Sequence, residues 1–181
     1  SGSTVLILGA GDIGRETALR LKGFGCRILG LRRSPGGAVE GYDAVYGMEA
    51  LMGALSEADY VLNILPATKE TARILGTAQF AVMKPTAYLI NIGRGTTVDT
   101  DALVFALQSG LIAGAALDVT EPEPLPAESP LWAMDNVLIT PHASGFSAGA
   151  DRRRLELFCD LLTRYLAGEP LYHTVDFDKG Y

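Results

Sequence analysis

Nearly continuous apolar runs alternate with helical patterns along most of the chain. The runs are rich in Val, Ile, Leu and Ala and do not alternate with polar residues, which is typical of parallel strands covered on both faces. They predict six strands, at residues 5–8, 27–31, 60–65, 87–92, 113–117 and 137–140. Apolar residues at helical spacing predict five helices, at residues 13–22, 48–55, 68–75, 100–108 and 148–166.

The regular alternation of these elements predicts an α/β fold. Right-handed strand–helix–strand units build a doubly wound parallel sheet, so we expect a Rossmann-type three-layer α/β/α architecture. The chain has 181 residues, of which 48% are hydrophobic, and this is the size of one domain with its own core. We therefore expect residues 1–181 to form a single domain with a C-terminal tail at residues 167–181.

Composition argues against several classes of partner. The formal net charge of -6 and the pI near 4.9 do not suit a nucleic-acid-binding surface. No apolar stretch approaches the roughly 20 residues of a membrane span, and no signal-peptide pattern is found. Cys26 and Cys159 lie in apolar contexts and are predicted to be buried thiols in a reducing compartment. We expect a cytoplasmic protein that binds neither nucleic acid nor membrane and has no metal site.

A glycine-rich turn follows the first predicted strand and opens the first predicted helix. It has the spacing GxGxxG, in which the glycines allow a tight turn, close approach of the backbone to phosphate, and close packing of helix on strand. N–H groups at the helix N-terminus favour an anion. We predict that a dinucleotide pyrophosphate binds here; a tight turn without a ligand is the alternative. The predicted contacts are Gly9, Gly11, Asp12, Ile13 and Gly14.

The loop after the second strand carries two arginines. NAD sites of this type place an acidic residue about 20 residues after the glycine loop, but no acidic residue occurs here before Glu40. Arg32, Arg33 and Ser34 instead suit the 2′-phosphate of NADP, because guanidinium groups form forked, charge-assisted hydrogen bonds to phosphate. We predict NADP in preference to NAD; exposed loop arginines without a ligand are the alternative.

Ionisable side chains follow three later strands, where a doubly wound sheet binds ligands. Reduction of a keto acid needs a cation for the carboxylate, a proton donor near the carbonyl oxygen and a group that holds the donor. Arg94, a glutamate and His142 can supply this set. Spacing alone leaves both Glu121 and Glu123 as candidates for the glutamate.

Four segments occur in an order that is more specific than any one of them. They are GAGDIG, LPATKETARIL, INIGRGTTVDTDALVFALQSGLIAGAALDVTEPEPLP and NVLITPHASG. Through them almost the whole chain resembles the D-isomer-specific 2-hydroxyacid dehydrogenase family, nearest to its glyoxylate and hydroxypyruvate reductases. The resemblance implies an NAD(P)-dependent dehydrogenase that transfers hydride between NAD(P)H and a small 2-keto acid or D-2-hydroxy acid, and it implies a homodimer.

The resemblance also implies roles for individual residues. Arg94 would bind the substrate carboxylate and carbonyl, His142 would act as acid and base, and Glu123, favoured over Glu121, would hold the histidine. Asp118 would lie near the nicotinamide carboxamide. The remaining residues expected to contact the cofactor are Leu65, Pro66, Thr68, Ile92, Gly93, His142 and Ser144.

Two other functions stay open. One is a dinucleotide-sensing interaction protein, like a corepressor related to this family, and the other is an NAD-dependent dehydrogenase of the phosphoglycerate type. The complete set of Arg94, Glu123 and His142 argues against the first, and Arg32 with Arg33 against the second. Family members carry an N-terminal substrate-binding lobe before the glycine loop. We expect that lobe to be absent from this chain, and the chain by itself to bind dinucleotide but turn over poorly.

Overall fold

The structure, a computed structural model, describes residues 2–34 and 37–177. The chain divides into two compact units, Ser1–His142 and Ala143–Tyr181. The first unit contains the sheet and four helices, and the second contains one long helix.

A seven-stranded parallel sheet forms the centre of the first unit. Its spatial order is β3-β2-β1-β4-β5-β6-β7, which confirms the doubly wound topology. All six predicted strands are present. The additional strand, β3, consists of three partly exposed residues at the sheet edge, so its apolar run is too short to stand out in the sequence. The strands are β1 Thr4–Leu8, β2 Arg27–Leu31, β3 Ala44–Tyr46, β4 Tyr60–Asn63, β5 Tyr88–Asn91, β6 Gly114–Leu117 and β7 Val137–Ile139.

Helices and short 3₁₀ turns connect the strands. The helices are α1 Asp12–Lys22, α2 Leu51–Glu57, α3 Thr77–Val82, α4 Thr100–Gln108 and, in the second unit, α5 Ala150–Leu166. The 3₁₀ turns are Met48–Ala50, Gly95–Thr97 and Pro130–Ala133.

The helix predicted at residues 68–75 is wrong. This segment forms a series of turns, and the helix before β5, α3, begins only at Thr77. The Thr71 hydroxyl donates to the Pro66 carbonyl (2.6 Å) and accepts from the Thr68 N–H (2.8 Å). Such bonds between a hydroxyl and nearby backbone groups compete with helical hydrogen bonding, so apolar spacing alone misassigned the segment.

Apolar residues of the strands face two separate core clusters. In β1, Leu6 and Leu8 pack in a cluster with residues of α2, α3 and α4. Val5 and Ile7 alternate with them and pack in a second cluster that contains Ala18 of α1. Because successive strand residues point to opposite faces, helices cover both faces of the sheet. The three-layer α/β/α architecture is confirmed.

Helix α5 in the second unit carries an exposed apolar face. The exposed residues include Leu155, Phe158, Leu162 and Tyr165. The prediction of two buried thiols is wrong, because Cys159 is exposed on α5 and Cys26 is only partly buried. Within residues 2–34 and 37–177, no helix has both the length and the apolar character to cross a membrane, and no cluster of three or more His, Cys, Asp or Glu residues could hold a metal ion.

Asp59 stabilises the amino-terminal edge of the sheet through two hydrogen bonds. The Asp59 carboxylate accepts the Thr4 N–H of β1 (2.7 Å) and the Lys84 ammonium (2.8 Å). The hydrogen bond from Lys84 lowers the pKa of Asp59 below its ordinary 3.8, with the Thr4 N–H as the second cause. A carboxyl group whose folded pKa is depressed stabilises the fold above its unfolded pKa and loses that contribution as the pH falls through the folded value.

We predict that Asp59→Asn lowers the free energy of unfolding at pH 7, and that the difference from the parent shrinks as the pH falls below 3.8. Denaturant unfolding of both chains across that pH range measures the difference. Asp101→Asn, at an exposed position of α4, is the control and should give a small difference at every pH. A constant difference between parent and Asp59→Asn across the range would contradict the prediction.

Candidate active site

The carboxyl ends of the strands lie along one edge of the sheet. Their last residues are in register across the central strands. The aligned residues are Leu8, Leu31, Asn63, Asn91, Leu117 and Ile139. The predicted site residues of the first unit all follow these strand ends, so the fold gathers them at one edge. Ser144 lies in the second unit, where it is exposed.

The glycine loop between β1 and α1 offers a cradle for an anion. Gly9 has φ +106°, which side chains rarely adopt, and its N–H donates to the Leu31 carbonyl (2.9 Å). A Cβ on Gly14 would lie 2.4 Å from the Gly9 oxygen and 2.6 Å from the Tyr42 hydroxyl. Gly11 caps α1 and has no atom near its Cβ position. The first N–H groups of α1 have no partner within the helix, and the open space beside Gly11 fits a pyrophosphate.

Asp12 and Ile13 form the start of α1 at this cradle, and both are exposed. Beneath it lies the Tyr42 ring, which also contacts the Cβ position of Gly30 in β2. Burial raises the pKa of Tyr42 to about 12. The Tyr42 hydroxyl is buried and has no hydrogen-bond partner within the residues that the structure describes. Tyr42 therefore packs against both α1 and β2 through van der Waals contacts.

The loop after β2 contains an unpaired donor. The Arg32 N–H donates to the Tyr46 carbonyl (3.1 Å), which holds the start of the loop against β3. The Nε atom of Arg32 is buried without a hydrogen-bond partner in the described parts of the chain. Buried donors are nearly always satisfied in folded proteins, so this guanidinium fits an anionic ligand such as a nucleotide phosphate. Arg33 and Ser34 beside it are exposed.

The loop after β4 lies within electrostatic reach of this arginine loop. The pKa of Glu70 is lowered, first by a hydrogen bond from Thr68, and the positive charge of Arg33 contributes. Leu65 is buried and Pro66 is partly buried. Thr71, which has no distinctive spacing in the sequence, stabilises the turn through its hydrogen bonds to Thr68 and Pro66. The loops after β2 and β4 therefore bring the charges of Arg33 and Glu70 near each other at this edge.

Arg94 is exposed in a tightly packed loop after β5. Its guanidinium Nη1 donates to the Gly93 carbonyl (2.7 Å). Ile92 before it is partly buried, and Gly93 is buried. A Cβ on Gly95 would lie 1.9 Å from the Thr120 oxygen, so the chain approaches the loop after β6 more closely than any side chain allows. The backbone of this loop is closely packed, and the Arg94 side chain is exposed. Arg94 is therefore accessible to a ligand at this edge.

Glu123 and His142 form a hydrogen-bonded pair across the loops that follow β6 and β7. Nδ1 of the imidazole lies 2.6 Å from Glu123 Oε1, and both side chains are about half exposed. Glu121, the competing candidate, instead accepts the Thr100 hydroxyl with its backbone carbonyl. His142 has φ +50°, an unusual conformation for a residue with a side chain, and such strain concentrates at functional sites. With Nδ1 engaged, Nε2 is the nitrogen left for proton transfer.

Asp118 is buried directly after β6, between Arg94 and Glu123 in chain order. Its Oδ1 accepts the Thr140 hydroxyl (2.6 Å), and its N–H donates to the Asn91 carbonyl (2.9 Å). Asp118 thus links the ends of β5, β6 and β7. Thr140, like Thr71, is a supporting residue that sequence reasoning missed.

Sequence reasoning also missed three buried polar residues near Arg94. Asn63, Asn91 and Thr97 have 0–1% exposure and lie where β4 and β5 end. A signal was present in the sequence, because both strands end in an asparagine, Asn63 or Asn91, that is followed by an isoleucine. A buried side-chain amide needs hydrogen-bond partners. An asparagine at the last position of a buried strand therefore predicts hydrogen bonds to nearby groups.

Two solved structures resemble this chain over almost its whole length. A D-isomer specific 2-hydroxyacid dehydrogenase from Xanthobacter autotrophicus Py2, solved with NADPH and MES, matches with TM-score 0.92 and 42% identity, over 99% of this chain and 73% of that one. An NADPH-dependent glyoxylate/hydroxypyruvate reductase from Sinorhizobium meliloti, solved with NADP and sulfate, matches with TM-score 0.91 and 34% identity, over 99% of this chain and 57% of that one.

Sequence comparison gives the same result. A glyoxylate reductase from Thermococcus onnurineus is 44% identical over 168 residues, which are 93% of this chain and 50% of the relative. The chain spans about half the length of the curated glyoxylate reductases that it matches. Residues 1–144 match the family model for the NAD binding domain of D-isomer specific 2-hydroxyacid dehydrogenases. The chain belongs to the D-isomer specific 2-hydroxyacid dehydrogenase family.

Proposed function

We propose that the protein carrying this chain is an NADP-dependent oxidoreductase that reduces a small 2-keto acid of the glyoxylate or hydroxypyruvate type to its D-2-hydroxy acid. The observation that carries the proposal is the Glu123–His142 pair, 2.6 Å apart, at the same sheet edge as the glycine loop. An acid–base pair and a dinucleotide cradle on one edge are what a hydride-transfer enzyme requires.

The reduced nicotinamide, when bound, supplies a hydride to the keto carbon. His142 delivers the proton that the carbonyl oxygen needs, from Nε2 of the protonated imidazole. Glu123 accepts the hydrogen bond of Nδ1–H, which orients the ring and stabilises the imidazolium through its charge. In the reverse direction the same Nε2 accepts the hydroxyl proton.

Arg94 binds the carboxylate of the substrate. Its guanidinium offers several N–H donors in a plane, and a carboxylate can accept two of them at once. Because the loop of Arg94 is packed against Thr120, binding costs little ordering of the backbone. Asp118, whose carboxylate accepts the Thr140 hydroxyl, links the strand ends between Arg94 and His142, and we propose that it lies near the nicotinamide carboxamide, as the family resemblance implies.

The preference for NADP rests on Arg32. Its buried Nε, which has no hydrogen-bond partner among the residues that the structure describes, has a suitable acceptor in a 2′-phosphate oxygen, and the exposed Arg33 and Ser34 add donors beside it. The 2′-hydroxyl of NAD would leave this charge without an anion. The relatives from Xanthobacter autotrophicus and Sinorhizobium meliloti were solved with NADPH and NADP, which supports the same choice. We further propose a cytoplasmic homodimer, as the family resemblance implies.

We predict that this chain binds NADPH at least tenfold more tightly than NADH, since the phosphate adds charge-assisted hydrogen bonds. Replacing Arg32 and Arg33 together with Ala should weaken NADPH binding at least about 100-fold, because two charge-assisted hydrogen bonds of roughly 1.5–3 kcal/mol each are lost, and should leave NADH binding almost unchanged. Isothermal titration calorimetry measures both. Arg20→Ala, an exposed arginine of α1 paired with Glu16, is the matched control. Equal affinities of the parent for the two dinucleotides would remove the assignment.

We predict that His142→Ala, in the full-length gene product, lowers kcat for glyoxylate reduction by about 10²–10⁴-fold, the usual contribution of general acid–base catalysis. Glu123→Gln, which keeps an acceptor but loses the charge, should lower kcat by about tenfold. Calorimetry should show NADPH affinity close to that of the parent in both variants. The control is Glu121→Gln, two residues away, which should leave kcat unchanged. A defect in Glu121→Gln as large as that of Glu123→Gln would contradict the assignment of the glutamate.

A further inference from the structure

Three uncharged polar side chains form a closed hydrogen-bond cluster beneath the site, at the ends of β4 and β5. The Asn63 amide donates to Asn91 Oδ1 (2.9 Å) and to Thr97 Oγ1 (2.6 Å). All three residues are almost fully buried. Burial of amides and hydroxyls in an apolar core is unfavourable unless they are paired, so these groups are held in one arrangement.

The direction of each hydrogen bond in this cluster is determined. Both Asn63 N–H groups are used as donors, so the Thr97 oxygen accepts one of them and must donate its own hydrogen elsewhere. It donates to the Arg94 carbonyl (2.6 Å). The Asn91 amide donates to the same carbonyl (3.3 Å), and Asn91 Oδ1 accepts the Gly93 N–H (3.1 Å). The cluster therefore ends on the backbone of the residue proposed to bind the substrate carboxylate.

The other end of the cluster reaches the loop after β4. Asn63 Oδ1 accepts the Leu65 N–H (3.3 Å). The two loops are also in direct contact, because a Cβ on Gly93 would lie 2.8 Å from the Leu65 oxygen. Asn63 thus touches, through its amide, both the loop that borders the proposed cofactor site and the loop that carries Arg94.

We propose that Asn63 and Thr97 are positioning residues for Arg94, and that they hold its backbone in the place where the guanidinium meets the keto-acid carboxylate. The inference rests on the proposed function, because it assumes that Arg94 binds that carboxylate. Neither side chain contacts the glycine loop or Arg32 in the hydrogen bonds described above. Loss of the Thr97 hydroxyl should therefore affect the keto acid and leave the dinucleotide largely unaffected, whereas loss of the Asn63 amide also removes the acceptor of the Leu65 N–H.

Isosteric variants of the full-length gene product test the proposal. Thr97→Val removes the hydroxyl and keeps the shape, Thr97→Ser keeps the hydroxyl, and Asn63→Leu removes the amide with the same number of heavy atoms. We expect the KM for glyoxylate at saturating NADPH to rise about tenfold in Thr97→Val and Asn63→Leu, because each variant interrupts the hydrogen bonds that lead from Asn63 through Thr97 to the Arg94 carbonyl. The Kd for NADPH should stay within about twofold of the parent in Thr97→Val, and Thr97→Ser should have nearly the parent KM.

A purely structural role would give a different pattern. Thr97→Val would then lower the thermal unfolding midpoint, and the KM for glyoxylate and the Kd for NADPH would change by the same factor. The KM of Thr97→Ser would then equal that of Thr97→Val. Either a parent-like KM in both Thr97→Val and Asn63→Leu or an equal rise in KM in Thr97→Val and Thr97→Ser would overturn the proposal. Asn63→Leu acts on the same carbonyl from one bond further away, so it decides the matter if Thr97→Val does not fold.

Arg94→Ala separates this inference from the proposed function. If Thr97 acts through Arg94, the double variant Arg94→Ala with Thr97→Val should have the KM of Arg94→Ala alone, because the two effects are not additive. A parent-like KM in Arg94→Ala would overturn the proposed role of Arg94 and the positioning role with it. A raised KM in Arg94→Ala with independent, additive effects of Thr97→Val would overturn only the positioning role.

Discussion

The common register of the parallel strands is the constraint on which the candidate site depends. Since β1 pairs with β2 on one side and with β4 on the other, the chain leaves the sheet in opposite directions on the two sides of β1. Loops that follow these strands separate and leave a crevice at the carboxyl edge, where open α/β sheets bind ligands. The glycine loop and Arg32 lie on the first half of this edge, and Arg94, Glu123 and His142 follow strands of the second half. No one loop contains the site.

The ends of the strands are also where the apolar core must change into a polar surface. The core around β4 and β5 consists of aliphatic residues such as Val61 and Leu89, which offer no hydrogen-bond partner. Polar groups at the next position have to satisfy one another, since an unsatisfied buried group costs roughly 1–3 kcal/mol. Asn63, Asn91 and Thr97 meet this requirement among themselves and with the loop backbone. The same bonds that pair the buried amides also limit the conformations open to the loops after β4 and β5.

Much of the fold was predictable, because its strongest signals are local and repeated. Continuous apolar runs identified six strands, and the glycine spacing located the turn into α1. The segment around Thr71 was misassigned because its apolar residues have helical spacing while a hydroxyl bonds the backbone in turns, and spacing does not report that competition. Strand β3 is held by its pairing with β2, a long-range interaction that three residues do not reveal.

The site was predictable in its residue types and less so in its contacts. Arginine, glutamate and histidine at strand ends indicated the chemistry, but the choice between Glu121 and Glu123 required the distance to His142, which depends on the path of a proline-rich loop. The supporting residues were missed because an asparagine or threonine inside an apolar run has no distinctive spacing. Their recurrence does carry information, since the Asn-Ile pair ends two neighbouring strands.

Tyr42 packs between Gly14 of α1 and Gly30 of β2, beside the glycine loop. Its ring occupies the space that a side chain at position 30 would need, and its hydroxyl occupies the space that one at position 14 would need. A replacement of the segment that contains residue 42 therefore has to keep an aromatic residue of the same size there, unless positions 14 and 30 are exchanged with it. The packing of α1 against β2 thus depends on three positions that are far apart in the chain, and a change at one of them limits what the other two can be.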